Sequence, residues 1–367
     1  MATLGNIFAH FRYFKPKPKV LPRVFKGFFR RMVLNQPRLR TIDWSATYTC
    51  NASCKMCSAR KLFNPKRKEL TLGQRKIVWQ QAKQLGVIHT QFTGGEPMTK
   101  GIDWICQATK DLEPDKFIVT MNTNATLLDE RKLLKLKEAG LDTVQMSVEC
   151  LDAKTHDYLR GLPGNFDHIM KMSRFALEIG LNVCFGSVIS PNHLKEIYEL
   201  AEFTRKRGIM QAVNLVSSPD SWKTDYYSRW SRKNIKDYHK LLKLSHVRND
   251  TFLNFYGRSG CPSGERIYIT AYGDVQICPH VQVAFGNVLE EPLKDIWFRI
   301  LKTPPLNHYS RVCRWAFDRN FYKKFVQPFK KLSQRPVNIE NIMGKGYIKK
   351  VDRQSLKLQR AWEFYQA

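Results

Sequence analysis

The chain has 367 residues, 43% hydrophobic and 12% aromatic, enough to bury a full core, which excludes a disulfide-stapled miniature and wholesale disorder. Lysine and arginine number 61 against 32 acidic residues, a formal charge of +29 that draws polyanions: nucleic acid, an anionic membrane surface or an acidic substrate. No apolar run is long enough to cross a bilayer and no secretory signal opens the chain, so a cytoplasmic protein is expected, its nine cysteines serving as metal ligands or buried thiols.

Residues 1–40 form a basic segment. Within it, "LPRVFKGFFRRMVL" (21–34) places Leu21, Val24, Phe25, Phe28 and Met32 on one helical face and Arg23, Lys26 and Arg30 on the other. That pattern suits a helix lying in an anionic bilayer interface, on the inner face of the membrane, or one packed across the open side of a barrel. The preceding "FRYFKPKPKV" and the later "FYKKFVQPFKK" add aromatics and charge. A nucleic-acid surface is the competing partner, less favoured because the charge gathers at the termini beside large apolar side chains.

From 41 to 216, strand-like runs alternate with helical ones. The strands are "TIDWSATYTC", "VIHTQFTGGEP", "KFIVTMNTNA", "TVQMSVEC", "NVCFGSVIS" and "IMQAVNLVSS"; helices are expected from Thr71, near Asp103, and from Asp129, Asn165 and Pro191. Glycines 86, 140, 180 and 208 stand between helix and next strand, where helix C-caps belong. Six such units predict a parallel α/β array, an open sheet or a partial (β/α)6 TIM-like barrel, with chemistry at the carboxyl ends of the strands. Residues 217–260 read as a helical linker. In 261–315, "ERIYITAYGDVQIC" reads as a β-hairpin within a small α+β unit. Residues 316–367 form a basic, aromatic tail to which no fold is assigned.

Three cysteines, Cys50, Cys54 and Cys57, crowd into eight residues after the first strand. Zinc would need a fourth ligand, yet the next histidine is His89 on strand two, and no second Cys-x-x-Cys exists. Three thiolates can instead hold three irons of a [4Fe–4S] cubane. The pattern Cys50-x3-Cys54-x2-Cys57, with Gly94-Gly95-Glu96-Pro97 after the second strand, resembles the radical S-adenosylmethionine (radical SAM) superfamily.

The resemblance implies that S-adenosylmethionine binds the fourth iron and is cleaved reductively to a 5′-deoxyadenosyl radical, which abstracts hydrogen from a substrate. It assigns Cys50, Cys54 and Cys57 to the catalytic cluster. Gly94, Gly95, Glu96 and Pro97 would seat the methionine moiety, and Asn124, Ser147 and Glu149 the nucleoside, with Gln211 and Asn214 as weaker candidates. Met56 departs from the family's usual aromatic residue beside adenine, though its thioether can face a ring. Cys261-x11-Gly273-x4-Cys278, with Cys313, resembles the superfamily's SPASM or shorter twitch extension and implies a second [4Fe–4S] cluster on those three cysteines. Cys150, near the presumed mouth, is a candidate hydrogen donor, whereas Cys106 and Cys184 read as core.

A flavodoxin- or ferredoxin-type electron donor follows from the same resemblance. The expected substrate is a lipid or lipid-linked molecule at the membrane surface. A ribosomally made peptide and a small molecule undergoing dehydrogenation are the alternatives, and no recognisable peptide-binding leader module precedes the barrel. A metal-stabilised nucleic-acid-binding module is the non-enzyme alternative.

Overall fold

A computed structural model describes residues 17–215, 230–249, 261, 264–310, 312–330, 332 and 335–360. Six strands run in chain order and all parallel: β1 (Thr41–Thr47), β2 (His89–Gly94), β3 (Ile118–Thr123), β4 (Thr143–Ser147), β5 (Asn182–Ile189) and β6 (Met210–Leu215). β1 and β6 do not pair, so the (β/α)6 array stays open, as a partial barrel should. The sheet is wider than six strands. β7 (Val247–Arg248) adds to the β6 edge, and β8 (Arg266–Ile269) adds parallel to β1, with β9 (Val275–Gln276) antiparallel beyond it. The hairpin expected in a separate small unit therefore continues the barrel's own sheet.

Strand pairing aligns Asp43 with Gln91, Gln91 with Thr120, and Asn122 with Gln145, so these polar side chains share the inner face. The alternate residues, among them Trp44, Phe92, Met121, Val144 and Phe185, are buried in the main apolar cluster. The core thus lies between sheet and helices, leaving a polar lumen. On this face Arg266 of β8 donates to the Asp43 carboxylate of the neighbouring β1 at 2.6 Å, both side chains being nearly fully buried.

The helices form where the sequence caps them. Thr71 and Gln74 make a reciprocal capping box at α2 (Leu72–Leu85), and Gly86 ends it in the left-handed region. α3 (Ile102–Asp111) follows, and Asp129 caps α4 (Glu130–Glu138) by accepting from the Lys132 amide. One helix escapes the periodicity reading: α5 (Ala153–Arg160), capped by Asp152, lies between β4 and α6 (Asn165–Glu178). α7 (Leu194–Lys206) then precedes β6. In the linker, α8 (Arg232–Leu241) is described; 216–229 and 250–260 lie outside the described residues.

The N-terminal helix α1 (Val20–Met32) is seated differently from the expected pattern; "FRYFKPKPKV" falls largely outside the described residues. Its inward side carries Val20, against Ile118, together with Gly27 and a buried Arg31, and Arg23 lies over the Phe117 ring at 4.4 Å. Two cationic side chains thus face the protein while phenylalanines face out. The tail is also compact where described. Phe321, Phe325 and Phe329, in the tail to which the sequence assigns no fold, are buried in the main core, and Asp352 pairs with Arg299 of α9 (Leu293–Lys302) at 2.7 Å.

The Asp43–Arg266 pair ties β1 to β8. Asp43→Ala strands a buried guanidinium and should lower unfolding free energy by about 3–5 kcal/mol in urea titrations, whereas the double change Asp43→Leu/Arg266→Met should recover most of the loss. A single-variant loss below about 1 kcal/mol would contradict this role.

Candidate active site

Every motif residue of the barrel leaves its strand at the carboxyl end, and the loops there interlock. The Gly95 amide donates to the Thr47 carbonyl at 2.7 Å and the Glu96 amide to Thr49 at 2.9 Å, stitching the β2 exit to the segment that leads into Cys50. A Cβ on Gly95 would collide with the Thr49 carbonyl, so only glycine permits this approach. On the loop's other side the Lys55 amide donates to Leu159 of α5 at 2.9 Å. Gly161, with φ +63°, sits where any Cβ would collide with Ser53. The cysteine loop is therefore clamped between two glycine contacts.

Glu96 is buried and ties strand ends together. Its carboxylate accepts from the Met98 amide at 3.1 Å, from the Thr123 hydroxyl at 2.7 Å and from the Asn124 amide at 2.7 Å. Burial pushes this carboxyl above its usual range, and the three donors oppose the rise. Asn124 in turn donates to Asn51, inside the cysteine loop, at 2.8 Å. Pro97 begins the short turn after Glu96 and does not border the cavity described next.

Cys50, Cys54 and Cys57 line a cavity of about 500 Å³, within the usual range of small-molecule sites, roughly 300–1,000 Å³. Met56, Gly94, Gly95 and Glu96 border it on one side, Asn124, Ser147 and Asn214 on another. Glu149, Cys150 and Gln211 do not border it. The Glu149 carboxylate instead accepts from the Val188 amide at 2.9 Å and pairs with Arg160 at 3.2 Å. The Cys150 thiol donates to the Asp152 carbonyl, and burial pushes it up to about 11.

Arg160, at the end of α5, was not singled out in sequence because no motif marks it. It lines the cavity, held by Glu149. The Glu149 amide donates to His156 Nδ1 at 3.2 Å, so His156 Nε2 carries the proton and donates to Asn165 at 3.1 Å; Asn165 donates to the Asn124 carbonyl at 2.9 Å. This buried chain fixes α5, and with it Arg160, relative to Asn124.

The second triplet gathers too: Cys261, Cys278 and Cys313 line an adjoining cavity of about 50 Å³. His280, also unmarked beforehand although it lies two residues beyond Cys278, borders this cavity, the larger one, and an inner chamber of about 150 Å³ lined by Asp43, Gln91, Asn122 and Tyr268. Among the described residues no three His, Cys, Asp or Glu side chains surround a point where one metal ion would sit. A cubane offers separate iron corners, so its ligands spread along a cavity wall, and both cysteine triplets do so. Burial pushes the free Cys278 thiol up to about 12, so without a metal it stays a neutral thiol, and an iron bound to its sulfur would displace the proton to solvent.

Comparison with known proteins agrees with this geometry. The family model described as "Radical SAM superfamily" matches residues 44–204, and that described as "SPASM: Iron-sulfur cluster-binding domain" matches 261–314, together more than half of the chain. The chain is 25% identical to an AdoMet-dependent heme synthase of Nitratidesulfovibrio vulgaris, over 71% of this chain and 79% of that protein. It is 23% identical to the PqqA peptide cyclase of Rhizobium meliloti, over 69% and 72%. Among solved structures, Streptococcus suis SuiB bound to its precursor peptide SuiA shares the fold, with TM-score 0.57 and 20% identity over 78% of this chain and 69% of SuiB. Residues, cavities and family models converge: the chain belongs to the radical SAM superfamily, with a [4Fe–4S] cluster and S-adenosylmethionine as cofactors and a SPASM domain for additional iron–sulfur binding.

Proposed function

We propose that this radical SAM enzyme abstracts hydrogen from a polar substrate, a small molecule or a short peptide segment, seated in the lumen between the two cysteine triplets. The observation behind this reading is that His280 and Asn214 border both triplet cavities and the polar inner chamber at once. When bound, the cluster and S-adenosylmethionine supply a 5′-deoxyadenosyl radical for that abstraction, and the auxiliary cluster supplies a second redox centre.

The chain's own residues bind and orient. Cys50, Cys54 and Cys57 would hold the catalytic cluster, and Cys261, Cys278 and Cys313 the auxiliary one. The β2 exit loop, pulled against Thr47 and Thr49, exposes backbone suited to an ammonium group, while Arg160, locked by Glu149, answers a carboxylate. Gln91, Asn122 and Tyr268 line the inner chamber with hydrogen-bonding groups for the substrate. An acidic donor protein of the flavodoxin or ferredoxin type suits the +29 surface.

Relatives named for haem synthesis and for peptide cyclisation support an occupant of this polar class. A bilayer lipid fits less well. Lys17 hydrogen-bonds to the carbonyls of Phe117 and Gly140 and pairs with Asp142, all just before β3 and β4, so the phenylalanine-rich helix lies at the amino ends of the strands, opposite the mouth.

Anaerobically reconstituted enzyme under strong reduction should release 5′-deoxyadenosine. Cys54→Ala should abolish the release and Cys278→Ala should retain it; a wild-type protein with full iron content and no release contradicts the reading. Arg160→Gln should weaken S-adenosylmethionine binding about 10- to 100-fold by calorimetry, the scale of a lost hydrogen bond between charged groups, with Arg160→Lys intermediate. Unchanged affinity would remove Arg160 from the site.

A further inference from the structure

The outward face of α1 has no partner within the described chain. Phe25 is 69% exposed, Phe28 47%, Phe29 52% and Val33, just past the last turn, 64%. On a helical wheel these fall within one sector, with Lys26 and Arg30 along its flank. A surface helix on a soluble protein normally turns such residues inward. Here the inward side is anchored by other means: Arg31 approaches Glu265 at 3.7 Å and donates to Asn35 at 2.6 Å, Arg23 stacks on Phe117, and Lys17 pairs with Asp142 at 2.6 Å. Burial raises the Asp142 carboxyl to about 6 despite that lysine, the mark of an anchor removed from water.

We propose that α1 is a membrane-docking face that seats the enzyme on an anionic phospholipid surface with its catalytic mouth turned away. Charge decides between the occupants of this face. A second copy would bring two chains of +29 together, with Lys26 and Arg30 facing like charges, whereas anionic headgroups meet those residues with opposite charge while the phenylalanines enter the acyl boundary. The sequence just before the helix continues the same chemistry, with Phe8, Phe11, Tyr13 and Phe14 among Arg12 and Lys15. The placement fits access as well. The anchors Phe117, Asp142 and Glu265 all precede strands, while the cavity opens where the strands end, so a bilayer under α1 leaves the mouth free. The proposal is independent of substrate identity.

The test is co-sedimentation of the full-length reconstituted enzyme with vesicles of mixed phosphatidylglycerol and phosphatidylcholine, against phosphatidylcholine alone, at near-physiological salt. Wild type should bind only the anionic vesicles. The triple variant Phe25→Ser/Phe28→Ser/Phe29→Ser keeps every charge and should partition at least about tenfold more weakly, with an unchanged unfolding midpoint and unchanged 5′-deoxyadenosine release. Lys26→Gln/Arg30→Gln should reduce binding and flatten its salt dependence. Absence of wild-type binding, or equal binding by the triple variant, overturns the proposal. So does a concentration-dependent dimer in light scattering that the triple variant abolishes, because a second copy would then cover the face.

Discussion

The arrangement of this site depends on a clamp. The Cys50–Cys57 loop has no regular structure of its own, and three thiolates on a free loop would not hold a rigid cluster at a fixed place. Backbone hydrogen bonds from Gly95 and Glu96 fix one side, and α5 presses the other through Leu159 and Gly161. Both contacts require glycine, since a Cβ at either position would enter Ser53 or the Thr49 carbonyl. Glu96 then binds the strand ends to one another, and Asn124 reaches from β3's exit into the cysteine loop. Binding groups on four strand exits are thereby set in one frame before any cofactor arrives, which is where preorganisation lowers the cost of binding.

A second consequence concerns the two ends of the barrel. Because the strands are parallel, all their carboxyl ends open on one side, and every cysteine of the catalytic triplet lies there. α1 occupies the other side, anchored by cations to groups that precede the strands. The apolar core fills the space between sheet and helices, so the lumen is free to be polar, and its charged pair Asp43–Arg266 joins the barrel to the hairpin that leads toward Cys278. Catalytic and auxiliary cysteines therefore share one continuous sheet as their frame.

Much of this was legible in the sequence for a physical reason: period-2 and helical patterns, caps such as Thr71 and Asp129, and glycine stops are local signals. The two cysteine triplets and the Gly-Gly-Glu turn were readable because their spacing is local as well. What was not legible depends on partners distant in the chain. A four-residue strand such as β8 carries no mark of pairing with β1. The inward turn of Arg31 needs Glu265, and the burial of Phe321 and Phe325 needs a core built by other segments. The resemblance places Glu149 with Ser147 beside the nucleoside, but β4 ends at Ser147, and beyond it the Glu149 carboxylate turns to Arg160 and the Val188 amide. α5 was missed because eight residues hold barely two turns of pattern, and Arg160 was missed with it.

At the centre stands the claim that S-adenosylmethionine docks directly on the cluster held by Cys50, Cys54 and Cys57. Electron paramagnetic resonance of a reduced Cys261→Ala/Cys278→Ala variant, which should retain that cluster alone, tests it most directly. The spectrum should shift when S-adenosylmethionine is added, as ligand atoms join the iron. A spectrum of full intensity left unaltered by saturating S-adenosylmethionine would contradict the claim.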